Sequence, residues 1–211
     1  MKYAGLPMGM WALFRNSFEA QLMEELRFSK EQAKDITKRA RKKYREIIQN
    51  LPEFEKEDRF RMNIVNCAMF SAFYLNIHPK PDIDQLSEYY RKSMMIEPMI
   101  WFCRQAGKTK FTDSDLKGMA ETARFKAADR NPYSWNMDMF VYPDGSGYEA
   151  RFYKCGICTL MKELGIEEAI PAMCRLDYAM SEAGGVTDFV REYTLASGGP
   201  YCDCGYKKKQ K

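Results

Sequence analysis

The sequence predicts an α+β fold: a helical N-terminal region packed on an antiparallel sheet formed by two C-terminal hairpins with an intervening helix pair. Three observations predict it. Up to about Arg130, apolar residues recur every three or four positions, the period of an amphipathic helix. After Asn131-Pro132 the pattern switches to short aromatic and β-branched runs with a period of two. Two glycine-rich stretches, Pro143-Asp-Gly-Ser-Gly147 and Ser197-Gly-Gly-Pro200, then separate pairs of such runs. Helices followed by strands are the signature of α+β rather than of alternating α/β units. Residues 1–211 are expected to form a single domain, with 1–132 as its helical region and 133–211 as the α+β region.

Trp11, Phe14, Phe18 and Leu22 form one apolar stripe and predict the first helix. Ser29 followed by Gln32 has the form of a capping box, and the helix it opens carries Ala33, Ile36, Ala40, Tyr44 and Ile47 on one face. Pro52 ends that region. A third helix is expected from about Asp58 to Leu75, with Phe60, Ile64, Cys67 or Ala68, and Tyr74 inward. His78-Pro79-Lys80-Pro81 breaks it, and Asp82 caps the next segment through Met95. Another helix spans Pro98 to Gln105. Thr112 caps a further helix with Leu116, Met119, Ala123 and Ala127 on its core face.

In the second region the runs Asp138–Tyr142 and Tyr148–Lys154 predict a hairpin. Cys155–Leu164 is a short helix stopped by Gly165, and Glu167–Ala183 a second one with Pro171 in its first turn and Gly184-Gly185 beyond its end. Phe189–Ala196 and Tyr201–Tyr206 are expected to be the paired strands of the last hairpin.

Composition narrows the function classes. Hydrophobic residues at 45% and charged residues at 29% suit a globular protein, and no apolar run approaches the roughly 20 residues a membrane helix needs. The apolar stretch Gly5–Phe14 lacks a small-residue cleavage site, so no signal peptide is expected. An odd number of thiols, seven, without an export signal points to a reducing, cytoplasmic setting and to cysteines outside disulfides. The net charge of +4 carries little information. Lys38–Arg45 is flanked by Glu31, Asp35 and Glu46, as a solvated helix face would be, and Lys207–Lys211 reads as a frayed, solubilising end. No basic-aromatic interleaving suggests nucleic acid.

Five of the seven cysteines lie after residue 150, and this is the densest chemistry in the chain. Cys155 and Cys158 form a C-x-x-C at a helix start, where the helix dipole favours a thiolate. Cys174 and Asp177 lie three apart on a predicted helix and share a face. On the last strand Cys202 and Cys204 point to one side and Asp203 to the other. Thr194 and Cys202 flank the turn whose Gly198 and Gly199 let backbone amides approach an anion closely. Arg191 and Arg175 are the nearest cations for a carboxylate. Cys155, Cys158, Cys174 and Cys202 supply four sulfurs for zinc or iron, but at gaps unlike a ribbon or finger. The single histidine, His78, excludes a histidine-rich metal site, and no G-x-S-x-G elbow accompanies it.

The Lys154-Cys155-Gly156-Ile157 segment, the Leu-Gly-Ile-Glu-Glu at 164–168, the Cys174-x-x-Asp177 pair and the Thr194–Asp203 block occur in an order that resembles the L-2-amino-thiazoline-4-carboxylic acid hydrolase family. One position departs: where the family more often has an aromatic residue after the Cys-Asp pair, this chain has Cys204. The resemblance implies hydrolytic opening of a cyclic amidine-like C–N bond to a carbamoyl-cysteine-type product; no cofactor is expected. With it, Cys174 becomes the candidate nucleophile, Asp177 its proton partner, and Thr194, Cys202 and Asp203 the surrounding pocket; the residues themselves add Cys155, at a helix start, as rival nucleophile, Arg191 as a nearby cation, and Gly198 and Gly199 as an anion-binding turn or a simple hairpin turn. A water activated by Asp177 or Asp203 stays open beside covalent attack. The expected partner is a small carboxylate-bearing substrate, without nucleic acid or membrane; a homo-oligomer is compatible with the sequence. The alternative is a non-catalytic ligand- or metal-binding sensor built on the same cysteines.

Overall fold

The computed structural model describes residues 2–210. Among them are eight α-helices and one four-stranded antiparallel sheet, the α+β class. The chain divides into two compact units, residues 1–96 with 157–176 and residues 97–156 with 177–211. No helix among the described residues is long and apolar enough to cross a membrane.

The first unit is helical. Helix α1 (Leu6–Glu24) buries Met10, Trp11, Phe14, Phe18 and Leu22, the stripe its spacing predicts. Helix α2 (Lys30–Asn50) opens on the expected capping box, in which the Ser29 side chain accepts from the Gln32 amide while the Gln32 side chain accepts from the Ser29 amide. Its buried residues include Ala33, Ile36, Ala40, Tyr44 and Ile47. Helix α3 (Arg61–Asn76) is the centre of the unit, buried around its circumference from Ile64 to Tyr74 apart from Asn66. Phe60, expected to point inward, precedes this helix and is half-buried. Helix α4 (Ile83–Met94) is capped by Asp82, whose carboxylate accepts from the amides of Asp84 and Gln85.

Aromatic contacts tie these helices together. Trp11 stacks on Tyr44 and on Phe73, with centroids 5.6 Å apart in both cases, and Phe70 meets Tyr90 at 4.5 Å. Helix α7 (Gly156–Glu163) lies almost wholly in this unit, and a 3₁₀ turn at Glu167–Ala169 leads into α8 (Ile170–Gly184). Tyr74 donates to Glu168 across 2.9 Å, fixing that turn to α3. Arg175 pairs with Asp84 at 2.6 Å on the exposed surface, which accounts for its charge.

The second unit holds α5 (Glu97–Thr109), α6 (Asp113–Ala127), the end of α8 and the sheet. Gly107 allows α5 to touch the end of α8, since a Cβ there would lie 2.3 Å from the Gly184 carbonyl oxygen. Helix α6 begins at Thr112, as expected, but its inward face is not the expected one. Leu116, Met119 and Ala123 are half-buried, Ala127 is exposed, and the residue that is fully buried is Lys126. Its ammonium group donates to Asp129 and to the Ser134 hydroxyl, the latter at 2.5 Å. Lys154 caps the carbonyls of Asp129 and Asn131, and the Asn136 amide donates to the Lys126 carbonyl. A polar network rather than an apolar face thus ties the end of α6 to the sheet.

The strands are β1 (Asn136–Val141), β2 (Gly147–Lys154), β3 (Thr187–Val190) and β4 (Cys202–Lys208), in the order β1-β2-β4-β3. The first hairpin forms where the sequence places it. The second pair differs: β3 ends at Val190, so Thr194 lies in a connecting loop and not on a strand paired with Cys202. That loop folds on itself through a 3₁₀ turn at Leu195–Ser197, capped by the Thr194 side chain. The strand β4 instead runs on to Lys208, whose side chain donates to the Gly145 carbonyl at 2.9 Å, so Lys207 and Lys208 are not part of a frayed end. Lys211 lies outside the described residues.

Candidate functional site

Strand register decides which chemistry shares a face. Opposite partners Tyr148↔Tyr206, Ala150↔Cys204 and Phe152↔Cys202 put both thiols of β4 with Tyr206 on one side of the sheet. Phe189 of β3 pairs with Tyr206 and joins the same side. Cys202 and Cys204 are both buried, because their neighbours on that face are aromatic or small. Asp203 falls on the opposite face with Arg151.

Arg191 follows β3 and returns to the thiol face two residues after Phe189. Its guanidinium rests on the Phe189 ring, 4.7 Å from the centroid, and also faces Tyr178 at 6.0 Å. One of its nitrogens donates to the Asp177 carboxylate at 2.5 Å and to the Cys204 sulfur at 2.9 Å. Asp177 comes from α8, so the helix end and the sheet are joined at a charge pair. Cys155 immediately precedes α7. The glycine after it is required by close packing, since a Cβ on Gly156 would lie 1.9 Å from the Tyr133 carbonyl oxygen.

The electrostatics of these groups follow from burial. Burial pushes the Cys204 thiol up to about 12, and Asp177 pushes in the same direction against Arg191. Burial also raises Cys202, opposed by the Leu195 amide that donates to its sulfur at 3.2 Å. Cys155 adds to that rise, which places it within electrostatic reach of Cys202. Desolvation of the part of Asp177 that faces the protein raises its carboxyl above the ordinary value, with Arg191 pulling against it, while 43% of the side chain stays exposed. Burial would lower the Arg191 value, but Asp177 and Cys204 outweigh it and hold the guanidinium charged. The outcome is two protonated thiols, a permanent cation and a carboxylate of enhanced basicity on one surface.

Of the residues singled out in the sequence, Asp177 and Arg191 are in direct contact, and Cys155 and Cys202 lie in the same second unit. Asp203 and Thr194 serve the loop. Asp203 accepts from the amides of Glu192 and Tyr193 at 2.7 and 2.6 Å, and so sets where Arg191 stands. Thr194 accepts from the Ser197 amide at 3.1 Å. The amides of Gly198 and Gly199 bond to the carbonyls of Leu195 and Thr194, so the turn itself uses the donors expected for an anion. Gly198 is needed there because its φ is 81°. Cys158 and Cys174 belong to the first unit. Cys204, placed by alternation on the face of Cys202 but not among the expected site residues, is the thiol that Arg191 contacts.

None of the seven cysteines is in a disulfide. Among the described residues no three His, Cys, Asp or Glu side chains gather as a metal site requires, so the four-sulfur set is not assembled.

A family model described as L-2-amino-thiazoline-4-carboxylic acid hydrolase matches residues 86–206, more than half of the chain and from α4 to β4. That span contains Asp177, Arg191 and all five C-terminal cysteines. No curated protein and no solved structure matches the chain.

Proposed function

The chain belongs to the L-2-amino-thiazoline-4-carboxylic acid hydrolase family, and on that premise we propose that it is a hydrolase that opens a cyclic amidine-like ring, with Asp177 as general base. The observation that carries the reading is the Asp177–Arg191 pair against the buried Cys204 thiol. A partly desolvated carboxylate with raised proton affinity, 43% exposed and so open to exchange protons, is a better base than an ordinary aspartate. Arg191 stays charged throughout and holds the carboxylate in one orientation. Its binding to a substrate carboxylate, expected from the sequence, would need that internal pair to open, so Arg191 is better assigned to positioning.

In the reaction so proposed, a water molecule loses a proton to Asp177 as its oxygen adds to the amidine carbon. The ring bond at that carbon then breaks, and the proton passes from Asp177 to the departing ring atom. The electron pair of the broken bond leaves with that atom, and the product is a carbamoyl-cysteine-type compound. Cys202 and Cys204 are held protonated and do not serve as thiolates. If the attack is covalent, the thiol falls to Cys155 or Cys174, with Asp177 taking the thiol proton. Cys155 has the advantage of the α7 N-terminus beside it.

The test is direct. Purified protein is incubated with L-2-amino-thiazoline-4-carboxylate and a panel of cyclic amidines, following ring loss and carbamoyl product by mass spectrometry. Turnover that is lost by orders of magnitude in Asp177→Asn, with unchanged circular dichroism, is the expected result. No ring opening with any member of the panel, or full activity in Asp177→Asn, overturns the reading.

A further inference from the structure

A second candidate site lies in the first unit and uses none of the residues of the proposed reaction. An open groove of about 440 Å³ runs between the start of α1 and the middle of α2. That volume falls in the range of small-molecule sites. Its floor is apolar: Trp11, Tyr44 and Ile48 are all buried. The floor is also rigid, because Trp11 is stacked on Tyr44 and the Tyr44 hydroxyl donates to the Pro7 carbonyl at 3.0 Å. Met8 overhangs one side and is 63% exposed, an unusual degree for a large apolar side chain.

The opposite rim carries Arg41 and Arg45, one helical turn apart on α2. Two cations of the basic run in which they lie are paired within the helix. Arg39 pairs with Asp35 and Lys43 with Glu46, each at 2.9 Å, so those charges are neutralised within the helix. Among the described residues neither Arg41 nor Arg45 has a carboxylate within ion-pair reach. Among the described residues Lys38 and Lys42 of the same run are likewise outside ion pairs, so what sets Arg41 and Arg45 apart is their place on the rim of the concave apolar floor.

We propose that this groove binds an amphiphilic carboxylate, with its hydrocarbon tail on Trp11, Tyr44 and Ile48 and its head group on Arg41 and Arg45. The tail would exchange water for the apolar floor, and the two guanidinium groups supply paired donors for the carboxylate oxygens. A cationic or neutral amphiphile of the same length meets the floor but not the rim, so charge decides selectivity.

The experiment uses the full chain and decanoate alone as the probe, by calorimetry and tryptophan fluorescence. Decanol and decyltrimethylammonium are run alongside it. The expected result is saturable single-site binding of decanoate, at least tenfold tighter than that of decanol. Arg41→Glu combined with Arg45→Glu should weaken it at least tenfold. Both arginines are exposed, so the double variant should keep the native circular dichroism; Arg41→Gln with Arg45→Gln repeats the test without charge reversal. Absence of saturable decanoate binding, equal affinity in both double variants, or equal binding of decanol overturns the proposal. Binding of the wild type to phosphatidylserine vesicles without binding to decanoate also overturns it, and points to a lipid surface instead.

Discussion

Arg191 and Asp177 meet at 2.5 Å as an unequal pair: the arginine side chain is 7% exposed and the aspartate 43%. The cation is locked by Phe189, Cys204 and the carboxylate, while the carboxylate keeps a side open to solvent. That asymmetry suits a group that must exchange protons with something outside the protein, held by one that must not move. It also separates what each variant should do.

Replacing Arg191 by Gln removes the one charge that opposes the effect of burial on Asp177. The carboxyl value should then rise further. For a carboxyl whose folded value already lies above its unfolded one, the ionised form is disfavoured by folding. Its contribution to stability is present below the ordinary value of about 3.9 and lost as pH rises through the folded value. The acid limb of the pH–rate profile should accordingly lie above about 3.9 in the wild type and move to higher pH in Arg191→Gln. Carbon-detected NMR titration of the Asp177 carboxyl checks the same shift without substrate. An unchanged titration would remove Arg191 from the positioning role. Because 43% of the Asp177 side chain is exposed and solvent partly screens the pair, the stability cost should be about 1–2 kcal/mol, less than for a fully buried pair.

The buried thiols predict a graded reactivity. Cys204 is pushed up to about 12 and Cys202 is also raised, both by burial, and both side chains are buried. At pH 7.5 the native protein should alkylate slowly at these two positions, by at least tenfold compared with the same peptides in denatured protein. After denaturation all seven cysteines should label. Peptide mapping after timed iodoacetamide treatment reads this directly. Equal rates at Cys204 in the native and denatured chain would show that the thiol is neither buried nor protonated as described.

How much of this was legible in the sequence depends on the kind of interaction. Apolar periodicity located α1 and α2 and their buried faces, and caps at Ser29, Asp82 and Thr112 marked helix starts, because these signals are local. The first hairpin was legible for the same reason, through its glycines. The inward residue of α6 was not, because Lys126 is buried by partners that follow it, Asp129 and Ser134, and no hydrophobic pattern encodes a polar network. The end of β3 was missed because the aromatic run continues past Val190 while Asp203 draws the chain away from the sheet. At the site, alternation gave the facing of Cys202, Asp203 and Cys204. The pairing of Arg191 with Asp177 joins a loop to a helix, and spacing alone does not reveal such a contact.

Asp203 is predicted to act on the site through that loop. Its two oxygens accept the amides of Glu192 and Tyr193, and Arg191 is the adjoining residue. Asp203→Ala should cost about 1–3 kcal/mol through the unpaired amides. It should also open residues 191–200 to proteolysis under native conditions, well before the helices of the first unit are cut. Asp203→Asn keeps an acceptor oxygen and should recover part of the loss. Native-state cleavage that is no faster in Asp203→Ala than in the wild type would rule out this anchoring.

The last prediction concerns Lys126, whose side chain is fully buried against Asp129 and Ser134. Burial would raise Asp129, but Lys126, the Asn131 amide and Lys154 outweigh it and hold the carboxyl below the ordinary range. A depressed folded value means that the stabilisation is present above about 3.9, the unfolded value, and is lost as pH falls through the folded value. Lys126→Met keeps the length and removes the charge, leaving a carboxylate that is 16% exposed with Lys154 at 3.8 Å as its remaining cation. The loss should be about 2–4 kcal/mol at pH 7. For a protein of this size that lowers the melting temperature by roughly 5–10 °C. The deficit should shrink as pH falls below about 3.9, because protonated Asp129 no longer needs the ammonium group. Thermal melts of both proteins from pH 7 to pH 3 measure it. A deficit that stays constant across that range would mean that Lys126 stabilises by packing alone and that its charge is not what joins α6 to the sheet.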